Sequence, residues 1–204
     1  MRNTIDHGIS LGLHNAVIAR MRKGSLRIIK SDVLKDTMPS CVHYNKKQQV
    51  LVGASAMNVM NTNSLRAMRN FEKGETNTFI EFQRTMGIKA TYLSKNMNKE
   101  LTSEELSAEV LKKLKSFVLD ENISSIVVAV PARFSSPQNE ATIKAARLAG
   151  FKQVILLQEP IAAAIAYGLN TEQEDAYRLV FDFGGSTFDA TLTKIEDGAI
   201  TIKL

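Results

Sequence analysis

The sequence predicts an α/β fold built on a mixed or parallel sheet with covering helices. Two observations lead there. From Ser124 onward, apolar strand runs alternate with helix patterns, as in sheets whose strands are joined across their faces. In addition, a strand unit turned at a glycine opens the chain and is echoed near its end. Ser10-Leu11-Gly12 lines up with Asp182-Phe183-Gly184, and Gly24 roughly with Gly198. Two copies of one hairpin suggest a duplicated fold with a cleft between the copies. The 204 residues suffice for one large domain or two small ones, and 44% hydrophobic residues suffice for a core.

The first unit is a hairpin through Ile9 and Leu11, Gly12, and a return run Ala16–Ala19; "LRIIK" adds a third strand after Gly24. "SCVHY" and "QVLVG" read as strands around a polar turn, and "ASAMNVMNTNSLRAM" has helical spacing, with a break allowed within it. "TNTFIEFQRTMG" reads as a short helix, and Ile88 to Leu101 as a loop or weak hairpin. "TSEELSAEVLKKLKSFV" is an amphipathic helix with a Thr102/Glu105 capping box and a Leu106, Val110, Leu114, Phe117 stripe. "SSIVVAV" reads as a strand buried on both faces and stopped by Pro131. A helix follows with Ser136 as N-cap, Pro137 in its first turn and Gly150 past its end. "QVILLQ" is a second buried strand, and "EPIAAAIAYG" a helix begun by Pro160 and closed by Gly168. Three strands, "RLVFDF", "STFDATLTKI" and "AITIKL", complete the pattern.

Several function classes are disfavoured. The net charge of +5 is spread along the chain without interleaved aromatics, so no nucleic-acid surface is expected. No apolar run approaches the roughly 20 residues of a membrane span, so no membrane role is expected. Cys41 is the sole cysteine, which excludes an internal disulfide and fits a reducing, cytoplasmic setting. Cys41 and His43 lack a second ligand pair for zinc, and His7 and His14 lack the companions of a hydrolytic triad. Neither a P-loop nor a dinucleotide fingerprint occurs.

Two places carry chemistry. Asp182 ends a strand just before Gly184, Gly185, Ser186 and Thr187. Glycines let backbone N–H groups close on an anion, and a neighbouring carboxylate can hold Mg²⁺ through water. The other reading is an ordinary hairpin whose Asp caps its turn. Glu159 follows a strand and starts a helix. It either orients water or a hydrated ion for attack on a phosphate, or only satisfies the helix dipole.

"DFGGSTFDATL", "QEPIAAAIAYGL" and "VAVPARFSSPQNEATIKAARLAG" resemble the ATPase domain of the heat-shock protein 70 (DnaK-type chaperone) family. "TIDHGISLGLHNAV", "LVGASA", "NTFIEFQRTMG" and "LTSEELSAEVLKKLK" follow in the same order, and the short link from Gly87 to Thr102 resembles the compact bacterial members. The resemblance implies the actin-like, ribonuclease-H-like ATPase fold: a first lobe over 1–170 with a smaller subdomain near 30–115, a hinge at 171–177, and the opening strands of a truncated second lobe at 178–204. It implies ATP or ADP with Mg²⁺ as ligands. It assigns Gly12 to the first phosphate loop, Gly184, Gly185 and Thr187 to the second, and Glu159, Asp182 and Asp189 to Mg²⁺ and the attacking water, with Asp182 holding the ion through water. Pro131 matches the proline that relays nucleotide state. Clients and co-chaperones are implied only through parts beyond this stretch.

Departures from the family pattern accompany it. Ser10 stands for a magnesium-organising Asp, Leu13 and His14 for phosphate-contacting hydroxyls, and Gln83 for the catalytic Lys. Each lost donor is of a kind worth roughly 3–4 kcal/mol in the transition state. Asn139 and Ile155 replace arginines of interdomain signalling and J-domain docking. ATP binding with impaired hydrolysis is therefore expected, against the alternative of an inactive scaffold or truncated product. Another actin-like phosphotransferase, such as a sugar kinase, is disfavoured by the "EPIAAAIAYGL" match. The last strands are expected to be marginally stable or to self-associate through unpaired edges.

Overall fold

The computed structural model describes residues 5–70, 77–168, 176–197 and 199–203. The chain opens with an antiparallel meander, β1 (His7–Leu11), β2 (Asn15–Arg22) and β3 (Ser25–Ile28), followed by a short β4 (Met38–Pro39) on β2. A three-stranded unit has β5 (Cys41–Tyr44) between β6 (Val50–Val52) and β7 (Thr78–Ile80), with helix α1 (Ala54–Asn70) packed on it. β8 (Thr91–Ser94) and β9 (Lys99–Thr102) form a hairpin that delivers the chain into α2 (Ser103–Lys115). The α/β alternation follows: β10 (Ser125–Val130), α3 (Ser136–Leu148), β11 (Gln153–Gln158) and α4 (Glu159–Ala166). A second antiparallel meander closes it, β12 (Ala176–Phe183), β13 (Phe188–Glu196) and β14 (Ala199–Lys203).

The main sheet has the order β11-β10-β1-β2-β3, with β10 parallel to both β1 and β11. Helices α2 and α3 pack on each other, α2 against β2 and α3 against β11. Ile9, Ile18, Ile126 and Val128 from the sheet meet Leu106, Val110 and Leu114 of the α2 stripe in one core. Burial of each such side chain contributes about 1.5–3 kcal/mol. The capping box forms as the spacing predicts: Thr102 Oγ1 accepts from Glu105 N, and the Glu105 carboxylate accepts from Thr102 N at 2.9 Å.

The mixed sheet with covering helices agrees with the sequence reading, and three local expectations change. "TNTFIEFQRTMG" is not a helix. Thr78–Ile80 pairs with β5, Glu81 then takes a left-handed conformation (φ 53), and only Phe82–Thr85 makes a 3₁₀ turn. The Thr-Phe-Ile run, β-branched and aromatic, completes a sheet, and that tertiary pairing wins over helical spacing. The segment after Gly87 is a hairpin, one of the two forms expected of it. Helix α1 forms where the helical spacing predicts it and runs unbroken through Asn70. The N-cap of α3 is Ser135, one residue early, with Gln138 Oε1 accepting from both its N–H and its hydroxyl. Neither buried strand is buried on both faces: β10 alternates full and partial burial, and β11 is a sheet edge with Ile155 exposed. Most of the expected hinge, 171–175, lies outside the described residues, as does Gly198. Among the described residues no helix is long and apolar enough to cross a membrane.

Candidate functional site

The two meanders are built alike down to their turns. Leu11 pairs with Ala16 and Phe183 with Phe188, each pair closing a four-residue loop. In the first loop Gly12 N donates to Asn15 O at 3.1 Å, and in the second Gly184 N donates to Thr187 O at 2.8 Å. Lys23 (φ 50) and Asp197 (φ 49) occupy the matching left-handed positions in the next turns. The echo seen in sequence is thus a repeat of backbone geometry.

Both loops face one cavity of about 460 Å³. Its wall takes Ser10, Gly12, Leu13 and His14 from the first loop and Asp182, Gly184, Gly185, Thr187 and Asp189 from the second. The carboxyl end of β10 supplies Pro131, and the junction of β11 with α4 supplies Glu159. The eight site residues that the resemblance implies, Gly12, Pro131, Glu159, Asp182, Gly184, Gly185, Thr187 and Asp189, therefore line one cavity, whereas Asn139 and Ile155 do not. The placement follows from the topology: parallel β1 and β10 end on the same side as β11, where ligands of α/β sheets gather. Helix α4 touches both the main sheet and the second meander, which sets their spacing.

The carboxylates sense one another. Asp182 and Asp189 are directly paired across β12 and β13, where like charges destabilise. Glu159 is pushed up to about 7, first by burial and then by the charges of Asp182 and Asp189. No group of three or more His, Cys, Asp or Glu among the described residues is arranged to hold a metal ion directly.

Opposite them, Gln83 is buried in the 3₁₀ turn, and its Nε2 donates to Gly12 O at 3.1 Å. Ser40 Oγ donates to the same carbonyl at 2.7 Å. Sequence reasoning missed the next feature. Glu81 pairs with His14 (Oε1 to Nε2, 3.1 Å) and with Arg84 (Oε2 to Nε, 2.7 Å), and Arg84 Nη2 donates to Ser186 Oγ at 2.7 Å. No periodicity or motif signals this network, because its members come from three separate segments.

The family model for the Hsp70 protein matches residues 7–204. The chain belongs to the Hsp70 family. It is 33% identical to the "Chaperone protein dnaK" of Thalassiosira pseudonana, over 96% of this chain and 35% of that protein. To the "Chaperone protein DnaK" of Mycoplasmoides gallisepticum it is 35% identical, over 98% and 32%. To the "Chaperone protein HscA homolog" of Neisseria meningitidis serogroup B it is 32% identical, over 99% and 34%. The chain spans about a third of the length of these curated relatives and corresponds to the N-terminal part of an Hsp70 protein. Membership brings the actin-like ATPase fold and a nucleotide-binding domain, and the mixed α/β architecture agrees with both.

Proposed function

We propose that this Hsp70 segment binds ATP or ADP in the cleft between its two hairpins, with Mg²⁺, and hydrolyses ATP poorly. In this reading 1–170 forms the first lobe, with a smaller subdomain near 30–115, 171–177 the hinge, and 178–204 the start of the second lobe. The observation that carries it is the pair of glycine turns with the same closing hydrogen bond, both opening on one cavity that also holds three carboxylates. Gly12, Gly184 and Gly185 give phosphates close access to backbone N–H groups, and Thr187 adds a hydroxyl. Asp182 and Asp189 hold the hydrated ion, which when bound neutralises phosphate charge. Glu159, at the strand end beside them, orients the attacking water. Pro131 ends β10 at the cavity wall and transmits cleft occupancy to the sheet.

Poor hydrolysis follows from what replaces the family's groups. Ser10 brings no charge to the position equivalent to Asp182, and Gln83 is neutral and engaged with Gly12 O. A calorimetric titration of the chain with Mg-ATP and Mg-ADP is expected to show binding of both, with single-turnover hydrolysis near background. Clear Mg²⁺-dependent hydrolysis would remove the claim of impaired chemistry, while silence toward both nucleotides would favour an inactive chaperone-like scaffold. Action on clients with co-chaperones, in the cytoplasm, is carried by analogy with the named chaperones.

A further inference from the structure

We propose that His14 and Arg84 form the phosphate-recognising wall of the cleft, with Glu81 as the counter-charge that holds both basic side chains until an anion displaces it. The proposal rests on the nucleotide reading above and names the residues of this chain that discriminate the charged end of the ligand.

Among the described residues lining the cavity, His14 and Arg84 are the basic ones, and three carboxylates stand on other parts of the same wall. A polyanion entering there needs positive charge, and Gln83 supplies none. Both basic side chains reach across to the second hairpin. His14 lies so close to Gly185 that a Cβ built on that glycine would come within 2.5 Å of His14 Nδ1. Arg84 reaches the next residue, Ser186, at 2.7 Å. Their partners are poorly matched to their capacity. His14 Nδ1 is buried without a hydrogen-bond partner, and Arg84 spends one guanidinium nitrogen on a neutral hydroxyl. One carboxylate, Glu81, serves both. Glu81 itself sits at φ 53, a conformation uncommon for a residue with a side chain, which places its carboxylate between the two. Charged phosphate oxygens are stronger partners than a hydroxyl, they can serve both basic side chains where one carboxylate is now shared, and a guanidinium donates to them in pairs.

A purely structural clasp between the hairpins predicts a different pattern of mutant effects, and the sign for Glu81 separates the two. ATP, inorganic tripolyphosphate and adenosine are titrated calorimetrically into the wild-type chain and into His14→Gln, Arg84→Gln and Glu81→Gln, with thermal unfolding as a folding control. His14→Gln and Arg84→Gln are each expected to weaken ATP and tripolyphosphate by about tenfold. Glu81→Gln is expected to tighten both several-fold, because the competing carboxylate is gone, and adenosine is expected to be unaffected throughout. Wild-type binding of ATP with unchanged affinity in His14→Gln and Arg84→Gln, or weaker binding in Glu81→Gln, overturns this proposal and leaves the nucleotide reading intact. Failure of the wild-type chain to bind ATP and ADP overturns both.

Discussion

The first and second hairpins share a backbone and differ in what surrounds it. Ile9 in β1 and Phe181 in β12 occupy the same position relative to their turns, three residues before the glycine. Ile9 is 3% exposed and Phe181 57%. The first hairpin is welded into the main sheet by β10, and α2 covers it. The second contacts α4 on one face, where Thr191, Thr193 and Ile195 are buried, and shows Leu179, Phe181, Phe183 and Phe188 on the other. Chemistry is distributed the opposite way. Asp182 pairs with Asp189 across the second hairpin, where the first has Ser10 opposite Val17. One hairpin keeps packing and the other keeps charge, so a turn conformation survives independently of both.

The largest effect should come from breaking the packing side of this contrast. Ile9→Ala removes a side chain from the shared core and is expected to cost about 3 kcal/mol. Phe181→Ala, at the matching position, is expected to cost about 1 kcal/mol or less, since more than half of it is exposed and Phe188 is the ring it stacks on. Urea denaturation of the two variants checks this, and equal losses would mean that the second hairpin's outer face is covered in solution.

The charge side of the contrast is next. The Glu159 carboxyl titrates at about 7 in the folded chain against an ordinary value of 4.5. A raised folded-state value means that the folded chain binds the proton more tightly. The contribution of Glu159 to stability is therefore fully present below about pH 4.5, is lost as pH rises through 7, and levels off above it. With its partial exposure discounted, the fall attributable to Glu159 is about 2 kcal/mol. Glu159→Gln is expected to flatten this dependence and to raise the urea midpoint at pH 8 in metal-free buffer. Unfolding curves at pH 5 and 8 that shift identically in wild type and variant would show that neither burial nor the neighbouring carboxylates raise the Glu159 carboxyl.

A smaller difference separates the two glycines. A Cβ on Gly12 would meet Asn15 O at 2.7 Å, the backbone carbonyl that its own N–H needs. A Cβ on Gly184 would meet Thr187 Oγ1 at 2.7 Å, an atom that can rotate away. Gly12→Ala is expected to cost about 1.5 kcal/mol and Gly184→Ala about half as much. Reversal of that order by thermal unfolding would mean that the first turn relaxes more easily than its geometry suggests.

Much of this contrast was legible beforehand, and what was hidden has physical causes. The glycine turns, the strand ends at Pro131 and Glu159, and the capping box at Thr102 are local, so spacing reveals them. The conversion of Thr78–Ile80 from helix to strand depends on β5 lying alongside, which no window of sequence contains. The exposure of β11 likewise depends on sheet order, because an apolar edge strand and an apolar central strand have the same pattern. The Glu81 network was invisible for a further reason. His14 reads in sequence as a replaced hydroxyl, nothing in the sequence marks Arg84, and only the fold brings both against Gly185 and Ser186.

The smallest expected effect bears most directly on the missing charge. Ser10 lines the cavity at the position equivalent to Asp182, with apolar Val17 rather than a second carboxylate opposite it. An Asp there adds negative charge without creating another like-charged cross-strand pair, so Ser10→Asp should fold normally. With Mg²⁺ present, the new carboxylate gives a hydrated ion a partner on the first hairpin, and ATP affinity is expected to rise about tenfold, near 1.4 kcal/mol. Without Mg²⁺ the same carboxylate repels the phosphates, and affinity should fall. The sign change between the two titrations is the useful quantity, because a variant that merely stiffened the turn would alter both in the same direction.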